Sequence, residues 1–253
     1  MESRAEPRGV QTALRAISIL EAFSTSRPSL TLSEIAESVD LAVPTTHRLL
    51  KALQSRDLVV MNAETREYSL GHGVMQLARI IMQRDELAGI AYPTLERIRR
   101  ETSETVSLQR LVGERRVAVT EFVSPHPIRM SSGVGTPYSL VRGAAGKAIL
   151  AFLPKREVDR LVAGSTDPAA LNAELKVIRD RGVATSFGEV IAGASSLAAP
   201  VINSLGEVVA SINVTGPSDR FTPDRVEATV PLLQQVSADV TRQLGGVPIL
   251  AGL

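Results

Sequence analysis

The chain contains no cysteine and no tryptophan. Without thiols it cannot build a disulfide framework, a thiolate zinc site, an iron–sulfur cluster or a cysteine nucleophile. Its three histidines, His47, His72 and His126, are too few for a His-rich metal site or an extended His-based catalytic network, so neither metal nor cofactor is expected. Five Phe and three Tyr are too sparse for a base-stacking platform on single strands. Charge of one sign is also missing. The 28 Lys and Arg face 27 Asp and Glu, and the formal charge of +1 gives no overall electrostatic reason to expect nucleic acid. Long apolar runs are absent too: Leu197–Ile202 is one of the longest, and a spanning helix needs roughly 20 residues. The first residues are polar and charged and show no signal-peptide pattern. No membrane role is expected, and the cytoplasm is the default compartment. The 44% hydrophobic share fits a folded chain.

The first 70 residues read as three short helices and a hairpin. Leu14, Ile17, Leu20 and Phe23 share a face of a helix over Thr12–Ser24, which Pro28 closes off. Thr31-Leu-Ser-Glu34 matches a capping box, in which hydroxyl and carboxylate satisfy orphan backbone donors, and a short helix with Ile35, Ala36 and Val39 inward follows. After a turn at Asp40, Pro44 suits the first turn of a third helix. At 100° per residue, Thr46, Leu49, Leu50 and Leu53 share its inner face. Arg48, Lys51 and Ser55 fall opposite, with Thr45 and His47 on the flanks. Two β-prone runs, Leu58–Met61 and Glu67–Leu70, are joined by a polar tip ending at Arg66. This order is that of a winged helix-turn-helix, whose second paired helix enters a DNA major groove. Periodicity alone also allows an ordinary helical hairpin with solvated charges. Residues 1–75 hold eight basic and nine acidic side chains, a net of −1, so affinity would depend on local cation placement and on oligomerisation. Arg66 at the tip, and Arg4 and Arg8 in an N-terminal arm, are further phosphate or minor-groove candidates.

A helical run over Gly71–Leu87 reads as a linker, and the remainder mixes helices with strands. Helices are expected at Tyr92–Thr102, Ala144–Leu153 and Pro168–Arg181, and a terminal one from Thr222-Pro-Asp to Gly245. Strands are expected at Thr105–Val112, Arg116–Val123, Ile128–Ser131, Val183–Phe187, Ser196–Asn203 and Glu207–Val214, the last two paired across Ser204-Leu-Gly. Strands grouped with segregated helices imply an α+β domain with a mainly antiparallel sheet. The division is then a winged helix-turn-helix at 1–72, a linker helix at 73–90 and a second domain at 91–253.

Three motifs in the second domain bear on chemistry. Gly143-Ala-Ala-Gly146-Lys147-Ala148 invites a phosphate-loop reading, but Val141 stands where the first Gly is needed and Ala148 where Ser or Thr is. What survives is a small-residue approach to a helix start, suited either to a ligand oxygen or to close helix–sheet packing. Ser195-Ser196 lacks the Gly-x-Ser-x-Gly elbow of an acyl-transfer nucleophile, since Leu197 fills the last position. His126, in Ser-Pro-His-Pro, reads as a loop residue. No catalytic residue is assigned. Asn213 and Thr215 alternate with apolar neighbours on one strand and so point to one face, either into a small pocket or to solvent.

With these segments placed, the whole chain resembles the IclR family of bacterial transcriptional regulators. The matching stretches are Ala16–Phe23, Leu32-Ser-Glu-Ile-Ala36, Thr46-His-Arg-Leu-Leu50, Tyr68-Ser-Leu-Gly71, Gly146-Lys-Ala148, Ala198-Ala-Pro-Val201 and Gly216-Pro217. A C-terminal signature runs through Gly182, Ser186, Glu189, Ser196, Leu197, Ala198, Val201 and Asn203, with Ile202 where an aromatic or His is usual. The resemblance implies a GAF-like effector-binding domain, and dimers that commonly pair into tetramers on an operator of double-stranded DNA. Typical family effectors are small organic acids or aromatic compounds.

Carried over by position, DNA contacts fall to Thr45, Thr46, His47, Arg48, Lys51 and Arg66. The effector site falls to Gly143, Ala144, Ala145, Ser186, Ser196, Asn213 and Thr215. Departures matter here. Position 186 is often Asp in the family, 196 often Cys, and 213 and 215 often Ser. Ser186 thus removes a negative charge and disfavours an anion less, while Asn213 adds a donor and an acceptor. Arg142, where His is frequent, is placed to reach a ligand carboxylate or to form a surface salt bridge. The expectation is a ligand-responsive DNA-binding regulator and not an enzyme. The alternatives are a hydrolase, or a sensor that never touches DNA, using the same pocket.

Overall fold

In a computed structural model of the chain, residues 8–24, 26–84 and 86–249 are described below. The chain forms two compact units divided between residues 85 and 86.

The first unit runs α1 (Arg8–Glu21), β1 (Ser29–Leu30), α2 (Leu32–Ser38), α3 (Val43–Gln54), β2 (Val59–Met61), β3 (Tyr68–Leu70) and α4 (His72–Arg84). Thr31 caps α2 in a complete capping box: its backbone N–H donates to Glu34 Oε2 at 2.8 Å, and its Oγ1 accepts from the Glu34 N–H at 3.4 Å. Asp40, at φ +50°, turns the chain from α2 into α3. Ile19, Phe23, Leu30, Ile35, Leu49, Leu50, Leu53, Val59 and Tyr68 form one core. The antiparallel wing has the order β1-β3-β2, and β1 is a strand too short to show any alternation in sequence. Its tip is an Asn62 turn whose side-chain oxygen accepts from the Glu64 and Thr65 N–H groups. Arg66 stands there exposed, at φ +62°. The start of α4 is tied to the α3–β2 turn: the Gly73 N–H donates to Asp57 O at 2.8 Å, and a Cβ at Gly71 would meet that oxygen at 2.2 Å.

The expected inward face of α1 is corrected. Leu14 and Ile17 are half exposed, and Ile19 and Phe23 fill the core, with Ala16 and Leu20 partly buried. The helix carries two apolar faces, and a small core reaches only one of them.

The second unit runs α5 (Glu86–Thr102), β4 (Thr105–Val112), β5 (Arg115–Phe122), β6 (Pro137–Ser139), α6 (Ala144–Leu150), α7 (Lys155–Ala163), α8 (Pro168–Arg181), β7 (Ala184–Phe187), β8 (Ala194–Ile202), β9 (Val208–Pro217) and α9 (Pro223–Gln243). α5 already gives Leu87 to this unit's core, so the stretch read as a linker divides between the two units. The six strands form an antiparallel sheet of order β6-β5-β4-β9-β8-β7. Alternation sorts its two faces. Val106, Leu108, Leu197, Ile212 and Val214 pack under α5 and α9 with Leu95, Ile98, Leu233 and Val236. The other face meets α6 and α8 through Ile149, Leu150, Leu175, Ile178, Ala198 and Val208. Towards one end that second face turns polar, and the cavity described below lies there.

Two further corrections concern strands and helices. Ile128–Ser131 is irregular, and the edge beside β5 is taken by β6, because Pro125 and Pro127 break the ladder before it can start. Helix α7 is unforeseen: a highly charged segment that buries only Val158 and Val162, one turn apart, leaves a weak apolar signal.

Candidate functional site

The first unit presents α3 as a two-faced helix. Thr46, Leu49, Leu50 and Leu53 are buried, while Arg48 and Lys51 are exposed on the other side, with Thr45 and His47 half-buried at the flanks. No carboxylate lies within 4.0 Å of Arg48, Lys51 or Arg66 among the described residues, so these cations are available to phosphates. Thr46 is a correction. It is 0% exposed, and its hydroxyl donates back to Ala42 O at 3.3 Å, so it holds α3 in place and cannot reach a base. Arg4 lies outside the described residues, and the backbone of Arg8 opens α1.

In the second unit, all seven residues proposed for an effector converge on one cavity. Gly143, Ala144, Ala145, Ser186, Ser196, Asn213 and Thr215 line it together with Arg116, Ser132, Glu189, Val190, Ile191 and Ala194. Register explains the convergence. Ser186 pairs with Ser196 and Ser196 with Thr215, one polar row across three strands, and Asn213 opposes Ser107 in the next row. α6 covers this floor, anchored by Ser211 Oγ donating to Ala145 O at 3.0 Å. The recess is small, about 30 Å³, and continuous with solvent.

Gly143 sets the edge of the cavity. Its φ of +77° with ψ 154° is open to glycine alone, and a Cβ there would stand 2.8 Å from Val190 Cγ2. Its N–H donates to Glu189 Oε2 at 2.9 Å, and Lys147 Nζ donates to Glu189 Oε1 at 2.6 Å and to Glu174 Oε1 at 2.5 Å. Lys147, 2% exposed, thus belongs to a buried ion-pair group and not to a phosphate loop. Burial pushes the Glu189 carboxyl up, but hydrogen bonds from Lys147, Gly143 and Ser186 and the Lys147 charge outweigh it, and the net shift is downward. Arg142 is exposed and donates to the Glu189 carbonyl oxygen, pinning this loop from outside; it does not line the cavity.

Sequence reasoning missed Arg116. It is 4% exposed, with Nη1 donating to Gln109 Oε1 at 3.0 Å and the guanidinium 4.8 Å from the Tyr138 ring centroid. Gln109 Nε2 in turn donates to Ser107 Oγ at 2.9 Å. The available signal was strand parity: Arg116 and Ala118 face the same way, and Ala118 is buried. Asn213 Nδ2 donates to Thr215 Oγ1 at 2.7 Å.

A winged helix-turn-helix with cations on its recognition helix, joined in one chain to a domain with a polar-floored cavity, defines a DNA-binding transcriptional regulator with a ligand-binding domain. Comparison with known proteins supplies the family. The family model of the IclR helix-turn-helix domain matches residues 12–62, and that of the bacterial transcriptional regulator IclR C-terminal domain matches residues 80–242. The chain belongs to the IclR family. It is 28% identical over 255 residues to the HTH-type transcriptional repressor AllR of Escherichia coli (strain K12), over 96% of this chain and 94% of that one. The crystal structure of Thermotoga maritima IclR is 26% identical and superposes with a TM-score of 0.78, over 93% of this chain and 99% of that one. An IclR homolog from Microbacterium hydrocarbonoxydans, crystallised with 4-hydroxybenzoate, shares the fold at 21% identity and a TM-score of 0.80, over 92% and 98% of the two chains. Among the described residues no helix is long and apolar enough to cross a membrane.

Proposed function

We propose that this chain reads its operator with Thr45, His47, Arg48 and Lys51 on α3 and with Arg66 on the wing. The effector cavity is the one lined by Gly143, Ala144, Ala145, Ser186, Ser196, Asn213 and Thr215. Occupancy of that cavity changes operator affinity, a coupling free energy between two sites on one chain. The observation that carries this reading is the convergence of seven residues, separated by up to 72 positions in sequence, on one cavity. The effector is a small carboxylic or aromatic compound. A neighbour of the same fold crystallised with 4-hydroxybenzoate supports this class.

The protein works as a homodimer, and as a homotetramer formed by pairing dimers, on a partly palindromic operator. Val10, Leu14 and Ile17 leave an apolar stripe along α1 about half exposed, which supports self-association in the first unit. It acts in the cytoplasm, without catalysis. Among the described residues no histidine lines the cavity to take a proton from Ser196, and Glu189 is committed to Lys147.

The test is Asn213→Leu, which removes the polar tip from the cavity floor. The variant should fold, bind operator like wild type and lose the ligand-induced rise in melting temperature. An unchanged titration would place the effector elsewhere.

A further inference from the structure

Two buried polar atoms on the cavity wall have no hydrogen-bond partner: Arg116 Nε, a donor, and Asn213 Oδ1, an acceptor. Both belong to side chains at least nine-tenths buried, at 4% and 5% exposure. A buried donor or acceptor left unsatisfied is a cost that folding rarely tolerates without a purpose, and a buried cation without a counter-charge costs more. Arg116 offers five N–H groups; among the described residues, one of its hydrogen bonds goes to the neutral Gln109, and its charge meets the face of Tyr138.

The carboxylates nearby are already engaged. Glu189 is held by Lys147 and by the Gly143 N–H. Glu121 accepts from Ser131 Oγ and from the Ser132 N–H. No carboxylate lies within 4.0 Å of Arg116 among the described residues. Glycine at position 143 keeps the space beside the guanidinium clear: a Cβ there would stand 3.3 Å from Arg116 Nη2. Of the other polar side chains lining the cavity, Ser132, Ser186, Ser196 and Thr215 are neutral hydroxyls, and the carboxylate of Glu189 is paired with Lys147.

We propose that Arg116 is the residue that selects among effectors by charge, and that Asn213 Oδ1 selects for a hydrogen-bond donor on the same molecule. The effector's carboxylate pairs with the guanidinium, and its hydroxyl donates to Asn213 Oδ1. The two orphaned atoms are thereby satisfied at once by a molecule of complementary polarity. This rests on the reading of the cavity as the effector site. Burial brings the Arg116 pKa down to about 10, so the group remains a cation at neutral pH.

The test is a thermal-shift and calorimetric series on the full chain. The probes are glycolate, lactate, mandelate and 4-hydroxybenzoate, each beside its own amide and its deoxy acid. At least one hydroxy acid should bind, its amide should not, and its deoxy acid should bind more weakly. Arg116→Gln should weaken that acid by roughly 30-fold or more, as truncating one partner of a buried charged pair does, and Arg116→Lys should restore part of the loss. Binding of an amide as tightly as its acid, equal binding to Arg116→Gln, or no hydroxy acid binding at all would overturn the proposal. Asn213→Leu separates the two failures. Binding that is lost in Asn213→Leu but indifferent to Arg116 leaves the cavity as the effector site and removes only the charge selection. Binding unchanged in both variants removes the cavity as well.

Discussion

Lys147 Nζ, on α6, lies 2.6 Å from Glu189 Oε1 while all but 2% of the lysine side chain is buried. The pair joins the helix that roofs the cavity to the loop that forms its edge, and Glu174 at 2.5 Å extends the link to α8. A buried ammonium tolerates this position only while its carboxylates remain. Lys147→Ala should therefore lower the unfolding free energy by about 1–3 kcal/mol, below the range for fully buried pairs because both acids are partly exposed. Lys147→Met, which keeps the packed stem, should lose less. Denaturant melts of the two variants measure the difference, and equal, negligible losses would show that the lysine contributes neither charge nor packing.

Glu189 gives the same group a pH signature. Its folded-state carboxyl sits below the ordinary 4.5, so the folded chain holds the anion more tightly than the unfolded chain does. Stability from this group is complete above about pH 4.5 and is lost as pH falls below that value through the folded pKa. Glu189→Gln should be less stable than wild type at pH 7, and the gap should narrow on acidification through that window. A gap that widens below pH 4.5 would mean that the carboxyl is not held as an anion.

On the DNA side, Arg48 and Lys51 stand exposed and free of carboxylates while Thr46 is sealed inside. Arg48→Ala and Lys51→Ala should each weaken operator binding and reduce the slope of log affinity against log salt by about 1 if the lost contact is to phosphate. Thr46→Ala should act through stability instead, leaving affinity per folded molecule unchanged. Binding measured across a salt series, beside melts of each variant, distinguishes the two behaviours. A Thr46→Ala protein that melts like wild type yet fails to bind would return that residue to the interface.

These cases also show where sequence was sufficient. The inner face of α3 was readable because Thr46, Leu49, Leu50 and Leu53 form one contiguous stripe and all three leucines of the helix lie on it. In α1 two apolar stripes compete, and only the packed core decides that Ile19 turns in and Ile17 out. Strand alternation put Asn213 and Thr215 on a common face, but whether that face met solvent or a helix depended on α6, whose contacts are long-range. Local pattern had already singled out Gly143, Ala144, Ala145, Asn213 and Thr215 as candidates, while Ser186 and Ser196 were assigned to the effector through family resemblance. Arg116 escaped because an Arg115-Arg116 pair reads as a solvated strand end. Its burial follows from its pairing opposite Tyr138 on β6, a strand that β propensity did not reveal.

Gly143 offers the sharpest separation between fold and site. At φ +77° it occupies backbone space that an L side chain enters at a cost of about 1–3 kcal/mol, and its missing Cβ leaves room for Val190 Cγ2 at 2.8 Å. Gly143→Ala forces the Val190 loop outward, which also disturbs the hydrogen bond from the Gly143 N–H to Glu189. The variant should therefore melt earlier and bind cavity ligands more weakly, while operator binding without ligand stays near wild type, since α3 lies in the other unit. Ligand titration by calorimetry beside operator binding checks both halves. Retention of full ligand affinity in a destabilised Gly143→Ala protein would mean that this edge is structural only, and that the effector sits deeper, against Asn213 and Thr215.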